Sequence, residues 1–474
     1  MLRTFVWLHR WLGIVLSLLF AVWFASGAVL LFVPFPSLDG AEARARAEPV
    51  PLGQVQVAPS RAFDAIPGAT SLRLVGVLGQ PVYVVGSTQG DRAVSAKTGH
   101  ETSALTPAQA GAVAARFGAK PAAGTVGPIR YDQWVVHQAF DHARPLYRVS
   151  LADDGGTQLY VSARTGEVVQ KTRGYERAWN WLGAVVHWLY FTPLRRFFAA
   201  WDQTVWWVSL VGLGVTAVGI GLGVYRTAKK MGSKRPAVSP FKGWLKWHHI
   251  LGLCGGVVVL TWIFSGWLSM DHGRLFARAA TPEQRAAIYQ GTPLGQMLGQ
   301  VDVARLRGLK GVTAVRFVVV GRTLVVAGIG PKGDQVFAGN GATLARTPAP
   351  LIARVLQAAY SGSQVSGPKT VAPTDFYAKA EGTPPGTESY QLTAAYRAQV
   401  FVDPATGEIA AVVNRSRAAY DWVYYALHTF NFPGLLAFPV LRAIIVLPLL
   451  ALGFALCITS IVVGVRRLRI VAAT

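Results

Sequence analysis

The sequence predicts an α-helical membrane protein with four transmembrane helices in two parallel repeats, plus two periplasmic α+β domains. Three observations predict it. Apolar residues make up 52% of the 474 and charged residues 15%, with 15 Trp and a mean hydropathy of +0.34, too apolar and too Trp-rich for an ordinary soluble chain. Four charge-poor runs are each long enough to cross a hydrocarbon core of about 30 Å at about 1.5 Å per helical residue. The chain also repeats itself. His187 and Trp181 return as His428 and Trp422, both 241 residues on (428 − 187 and 422 − 181). Thr165-Gly-Glu167 returns as Thr406-Gly-Glu408 at the same offset, and the segment around His9 returns around His248 at 239 (248 − 9). A tandem duplication is the simplest source of such offsets.

The first run, Trp11 to Val33, is too long for the apolar region of a cleaved signal peptide, which is about 7–15 residues. Its Trp-x-x-Ser-Gly pattern, Trp23 to Gly27, also recurs internally at Trp262 to Gly266. The first helix is therefore placed within residues 1–34. Residues 35–174 are polar and punctuated by Gly and Pro, with alternating runs such as Ser71 to Val77, Pro81 to Val85 and Leu146 to Leu151 that read as strands, and a helical stretch from Pro107 to Phe117. A juxtamembrane helix and the second span (Val205 to Tyr225) occupy 175–226, and a basic linker occupies 227–246. The third span fills 247–270, and 271–416 repeats the α+β pattern, with strands at Ala314 to Val320 and Gln399 to Asp403. Residues 417–474 supply the second juxtamembrane helix, the fourth span (Ala443 to Val465) and a tail. Shared origin predicts contact between the two α+β regions.

The net charge of +23 would suggest nucleic acid in a soluble chain. Here the cations follow the spans: Arg226, Lys229, Lys230, Lys234 and Arg235 after the second, and Arg466, Arg467 and Arg469 after the fourth. The positive-inside rule places these segments and both termini in the cytoplasm of a multi-pass bacterial inner-membrane protein, with the large domains periplasmic. The expected surroundings are membrane lipid, with no nucleic acid. Cys254 and Cys457 lie inside apolar runs and suggest neither a disulfide framework nor a thiolate metal site.

Parallel repeats put equivalent residues at equal depth on facing elements. His9 and His248 then face each other near the cytoplasmic ends of spans one and three. His187 and His428 face each other near the periplasmic surface. Two facing imidazoles suit a six-coordinate b-type haem, whose iron takes one axial ligand on each face and passes electrons. Four histidines would hold two haems, one near each surface. His249, aligned with Arg10, is an alternative to His248. Interfacial anchoring is the plainer reading of each histidine taken singly.

His137 and His142 are too unevenly spaced for one helical face, His100 reads as a turn residue, and Asp271-His272 reads as a helix end. Near the outer pair, Arg195, Arg196, Tyr424, Tyr425 and Asn431 are candidates to contact a bulky, oxygen-rich substrate.

The His-x-x-Leu-Gly openings of spans one and three, the Ser-Gly near their ends, the paired Tyr-Val-Ser-Ala-Arg-Thr-Gly-Glu and Phe-Val-Asp-Pro-Ala-Thr-Gly-Glu strands, and the Leu-His-Thr before span four resemble the PepSY-associated transmembrane family. That resemblance implies PepSY-like outer domains. It also implies kinship with iron-regulated inner-membrane proteins and FoxB-like haem-containing reductases of ferric siderophores. The expected function is then reduction of a ferric siderophore or other iron chelate in the periplasm, releasing Fe(II), with electrons from membrane quinol or a separate reductase. The alternative is a haem-free sensor or regulator whose outer domains bind a periplasmic partner.

Overall fold

The computed structural model describes residues 1–472. Among them, four helices are long and apolar enough to cross a membrane: Leu2–Leu30, Phe198–Met231, Gly243–Ser269 and Pro439–Ile470, the last continuing to Ala472. Each runs beyond the span expected from hydropathy because flanking Trp, Arg and Lys residues continue the helix past the apolar stretch. The first long helix packs against the second and fourth, and the third packs against the same two. The first and third are thus diagonal partners in a four-helix cycle. Leu16, Phe20, Phe24, Val259, Ile263, Val446 and Leu450 form the apolar core of this unit, which comprises residues 1–35, 178–276 and 419–474.

The other compact unit comprises residues 36–177 and 277–418 and is rich in strands. The first polar region contributes β1 (Ala69–Val77), β2 (Gln80–Ser87), β3 (Arg92–Ser95), β4 (Ala122–Ile129), β5 (Leu146–Leu151), β6 (Gln158–Ser162) and β7 (Val168–Thr172). The second contributes β8 (Ala314–Val320), β9 (Thr323–Ile329), β10 (Gln335–Ala338), β11 (Thr343–Leu344), β12 (Ser363–Thr370), β13 (Glu388–Ala394), β14 (Ala398–Val402) and β15 (Ile409–Asn414). The two regions do not fold apart. β1 pairs antiparallel with β8, so one seven-stranded sheet runs β11-β10-β9-β8-β1-β2-β3 across both. Two four-stranded sheets, β4-β5-β6-β7 and β12-β13-β14-β15, remain private to their regions.

The helix expected from Pro107 is Pro107–Gly118. A capping box between Thr106 and Gln109 starts it, and left-handed Ala119 ends it. Its Ala110, Ala114 and Phe117 pack on Tyr147, Val149 and Leu159 of the adjacent sheet. Ala349–Ala359 carries the same amphipathic pattern in the second region, burying Ile352, Val355 and Leu356.

At the centre of the shared sheet Arg73 and Arg316 are register partners. Like charges placed opposite each other on neighbouring strands repel, and the recurring Thr-Gly-Glu turns relieve this. Glu167 takes two bonds from Arg73, at 2.8 and 2.6 Å, and Asp91 takes a third at 2.6 Å. Glu408 takes one from Arg316 at 2.7 Å. Gly166 and Gly407 both sit at φ 75, which is why each turn has a glycine there.

The two carboxyls respond in opposite directions. Burial by itself would raise Glu167, but the Arg73 charge and its hydrogen bonds outweigh burial and hold the group below its ordinary value. Burial raises Glu408, and the nearby Arg316 charge offsets only part of that. Glu167 therefore contributes stability above the ordinary carboxylate range that is lost as pH falls through its depressed value. Glu408 shows the reverse sign: its contribution is present at low pH and lost as pH rises through its raised value.

Removing Arg73 strands two largely buried carboxylates and should cost about 2 kcal/mol, below the roughly 3–5 kcal/mol usual for a fully buried pair because Arg73 is 27% exposed. Arg316→Ala breaks a pair exposed at 45% and 37% and should cost under about 1 kcal/mol. Urea unfolding of the two variants in detergent checks that ranking. In the same assay Glu167→Gln should flatten the acid limb of the stability profile.

Candidate functional site: two histidine pairs

The diagonal first and third helices bring the four repeated histidines together in two pairs. His9 and His248, near the N-terminal ends of these helices, have ring centroids 6.2 Å apart. His187 and His428, carried on short helices before the second and fourth long helices, also lie 6.2 Å apart. The second pair rests against Ser26 and Ser265 near the far ends of the first and third helices. Seventeen residues separate His9 from Ser26 (26 − 9), so the two pairs are about 25 Å apart along the helix.

Local backbone geometry sets the second pair. Tyr190 N–H bonds Val185 O and Thr429 N–H bonds Tyr424 O, one residue wider than an α-turn, the kind of local widening that recurs at functional sites. Two residues beyond each histidine the chain turns left-handed, at Leu189 (φ 52) and Phe430 (φ 59). Neither is glycine, so both turns carry strain that the packing around them sustains.

One ring nitrogen of every paired histidine is engaged, and it is the same one. His9 Nδ1 lies 3.0 Å from the Val215 carbonyl, which can only accept, so Nδ1 carries the proton. Ser26 Oγ donates to Trp23 O and accepts from His187 Nδ1 at 2.9 Å. Ser265 Oγ donates to Trp262 O and accepts from His428 Nδ1 at 3.1 Å. Thr459 and Ser460 both donate to Leu456 O and accept from His248 Nδ1, at 3.3 and 3.2 Å. In all four neutral rings the lone pair is then on Nε2. Metal-binding histidines are commonly oriented this way, with the remote N–H held by an acceptor.

The neighbourhood also accommodates the rings. A Cβ at Gly219 would lie 2.4 Å from His9 Cε1, and one at Gly266 would lie 3.0 Å from His428 Cε1. Glycine at these positions lets the imidazoles approach the helix backbone. A metal midway between two imidazoles, bonded to each at about 2 Å, spaces the ring centroids by about 6 Å. Both observed spacings fit that requirement, and so does the donor set of two imidazoles per site.

His249 is arranged differently. Its Nε2 faces Gly223 O at 3.1 Å and Thr227 Oγ1 at 3.4 Å, and its ring packs edge-on against Phe241. The structure brings His248, not His249, opposite His9.

The proposed substrate contacts divide. Arg195 is 1% exposed, its guanidinium enclosed by the rings of Trp201, Tyr190 and Phe198 at 4.4, 4.8 and 5.3 Å. It is a packing residue, which corrects the expectation that it meets substrate. Arg196 is exposed, over Phe197. Tyr424 lies nearly parallel to His428 with centroids 6.1 Å apart, and Tyr425 is partly exposed beside it. Asn431, partly exposed, bonds Thr429 and Arg442.

Nor does Asp271-His272 simply end a helix. Asp271 accepts from Phe276 N, but His272 Nδ1 reaches across to Asp202 Oδ2 at 2.7 Å. His137 accepts from Ala139 N at the start of a short turn, and His100 lies in the turn after Gly99. Among the described residues no group of three or more side chains is placed to hold a metal ion by itself.

Sequence reasoning missed the residues that orient the rings. Ser26 and Ser265 were signalled by the recurring Trp-x-x-Ser-Gly. Ser460 was not, because the position 241 residues earlier is Gly219 (460 − 241). One repeat anchors its histidine on a hydroxyl and the other on a backbone carbonyl that the glycine exposes.

Helices long enough to span a bilayer, joined to a strand-rich unit and carrying two histidine pairs, define a membrane protein of a recognisable class. The profile described as PepSY-associated TM region matches residues 6–324, and the chain belongs to that family. The match takes in His9, His187 and His248 and stops short of His428. No curated protein matches the sequence.

Gly219→Val should force His9 away from Val215 and destabilise the helical unit by about 1–3 kcal/mol, the usual cost of overpacking. Gly214→Ala on the same helix meets nothing within 4 Å and should be neutral or stabilising by up to about 1 kcal/mol. Thermal unfolding in detergent compares the two.

Proposed function

We propose that the protein is a haem-dependent reductase of the bacterial inner membrane, similar to the FoxB-like members of its family. It passes electrons across the membrane to reduce a ferric siderophore or other ferric chelate in the periplasm, releasing Fe(II) for a separate importer. One observation carries this reading: two histidine pairs about 25 Å apart along the helix, each with ring centroids 6.2 Å apart and each ring bonded through Nδ1.

Under this reading His9 and His248 hold one b-type haem and His187 and His428 the other. A haem held by these imidazoles would supply one-electron transfer. The chain's own part is to orient. Val215 O, Ser26, Ser265, Thr459 and Ser460 fix the ring planes and keep Nε2 available. The apolar core of Leu16, Phe20, Phe24 and Ile263 lies between the two pairs along the first and third long helices. The basic runs after the second and fourth long helices support a cytoplasmic location for those ends and for both termini. That orientation puts the His187–His428 pair and the strand-rich unit on the periplasmic side, and the electron donor, quinol or a partner reductase, at the His9–His248 end.

Reduced-minus-oxidised spectra of protein purified from cells supplied with haem precursor should show low-spin b-type bands and about two haems per chain. His9→Ala or His248→Ala should remove one haem, His187→Ala or His428→Ala the other, and each should bring ferric siderophore reduction to background. A haem-free protein with intact fold would overturn the reductase and favour a regulator acting through the strand-rich unit.

A further inference from the structure

The repeats differ at one polar cluster beside the second histidine pair. Asp202, in the first turns of the second long helix, and His272, just past the third, form a carboxylate–imidazole pair at 2.7 Å with side chains 15% and 25% exposed. Neither residue is duplicated. Position 443 (202 + 241) is alanine, and position 33 (272 − 239) is valine. Trp206 covers one face of the imidazole at a centroid distance of 4.8 Å, and Trp267 packs on Trp206. The remaining charged neighbours are Asp271 and Arg274, which pair with each other at 4.0 Å.

The cluster lies at the same end of the third helix as the His187–His428 pair. Gly266 touches the His428 ring, and His272 is six residues further on (272 − 266), a separation on the order of 10 Å. Asp202 Oδ2 accepts a hydrogen bond from Nδ1–H and fixes the ring. His272 Nε2 has no hydrogen-bond partner among the described residues. A partly exposed imidazole with one nitrogen held by a carboxylate is equipped to give up a proton from the other.

We propose that His272 donates a proton to the ferric chelate's oxygen donors as reduction releases the iron, with Asp202 as its positioning residue. This rests on the reductase reading above. The chemistry gives a proton donor a task. Hydroxamate, catecholate and carboxylate oxygens bind Fe(III) as anions. One electron from the reductase converts Fe(III) to Fe(II) and weakens each iron–oxygen bond. When a bond breaks, its electron pair stays on oxygen, and the released anion rebinds iron unless it is protonated. The Nε2–H proton of the His272 imidazolium passes to that oxygen to form O–H. The imidazole left neutral regains a proton from solvent, and Asp202 stays ionised, stabilising each imidazolium that forms.

The test uses haem-loaded protein in nanodiscs, reduced without air and mixed with either of two acceptors while reoxidation is followed. A ferric trihydroxamate needs protons to release its iron, whereas hexacyanoferrate(III) takes an electron without losing a ligand. In the unaltered protein the trihydroxamate rate should be slowed in deuterated solvent and the hexacyanoferrate rate should not. His272→Gln should lower the ratio of trihydroxamate to hexacyanoferrate rates about 100-fold, a typical general-acid contribution, and abolish that isotope effect. Asp202→Asn should lower the same ratio with the hexacyanoferrate rate unchanged, because the imidazole loses the carboxylate that positions it. A ratio unchanged in His272→Gln, whether both rates hold or both fall together, overturns the proton donor and leaves the reductase standing. Unaltered protein that binds haem but reduces neither acceptor overturns the reductase itself.

Discussion

The helical unit depends on holding four partly buried imidazoles against an apolar bundle without leaving their N–H groups unbonded. A buried polar group without a partner costs roughly 1–3 kcal/mol, so each histidine needs an acceptor on a neighbouring helix. Those acceptors hold the elements together. Val215 O draws the first helix to the second, Thr459 and Ser460 draw the third to the fourth, and Ser26 and Ser265 draw the short histidine-bearing helices onto the first and third. Glycines at 219 and 266 allow the approach. Helix packing and ring orientation are thus set by the same bonds, which makes the two pairs rigid.

The strand-rich unit meets a different constraint with a related device. Pairing β1 with β8 joins the two polar regions into one sheet but sets Arg73 against Arg316. Each Thr-Gly-Glu turn returns a carboxylate to the arginine of its own region. The first region adds Asp91, and its cluster is the more buried. The two copies have therefore diverged in electrostatics while keeping the same backbone turn.

Divergence is more informative in the helical unit. Both repeats keep the histidine, the Ser-Gly cradle and the left-handed residue after each outer histidine. Only one has an Asp–His pair at the outer end, and only one uses a glycine where the other has a serine. Symmetric residues serve the facing rings, which need equivalence across an axis. The unpaired Asp202 and His272 face each other rather than a symmetric copy, and there two-fold symmetry confers nothing.

Hydropathy and periodicity by themselves determined the four long helices, the strand-rich regions between them, and the four histidines, because burial length and repeat offsets are one-dimensional properties. The repeat offset favoured His248 over His249 by aligning it with His9, but did not show which ring meets its partner. Two adjacent helical residues differ by about 100° in direction, and only the position of the facing helix decides which one meets His9. Arg195 looked like a substrate contact because its side chain is charged. Packing against Trp201 encloses it, and such long-range enclosure leaves no trace in local sequence. The Asp202–His272 pair, 70 residues apart in the chain, exists only because the second and third helices pack side by side.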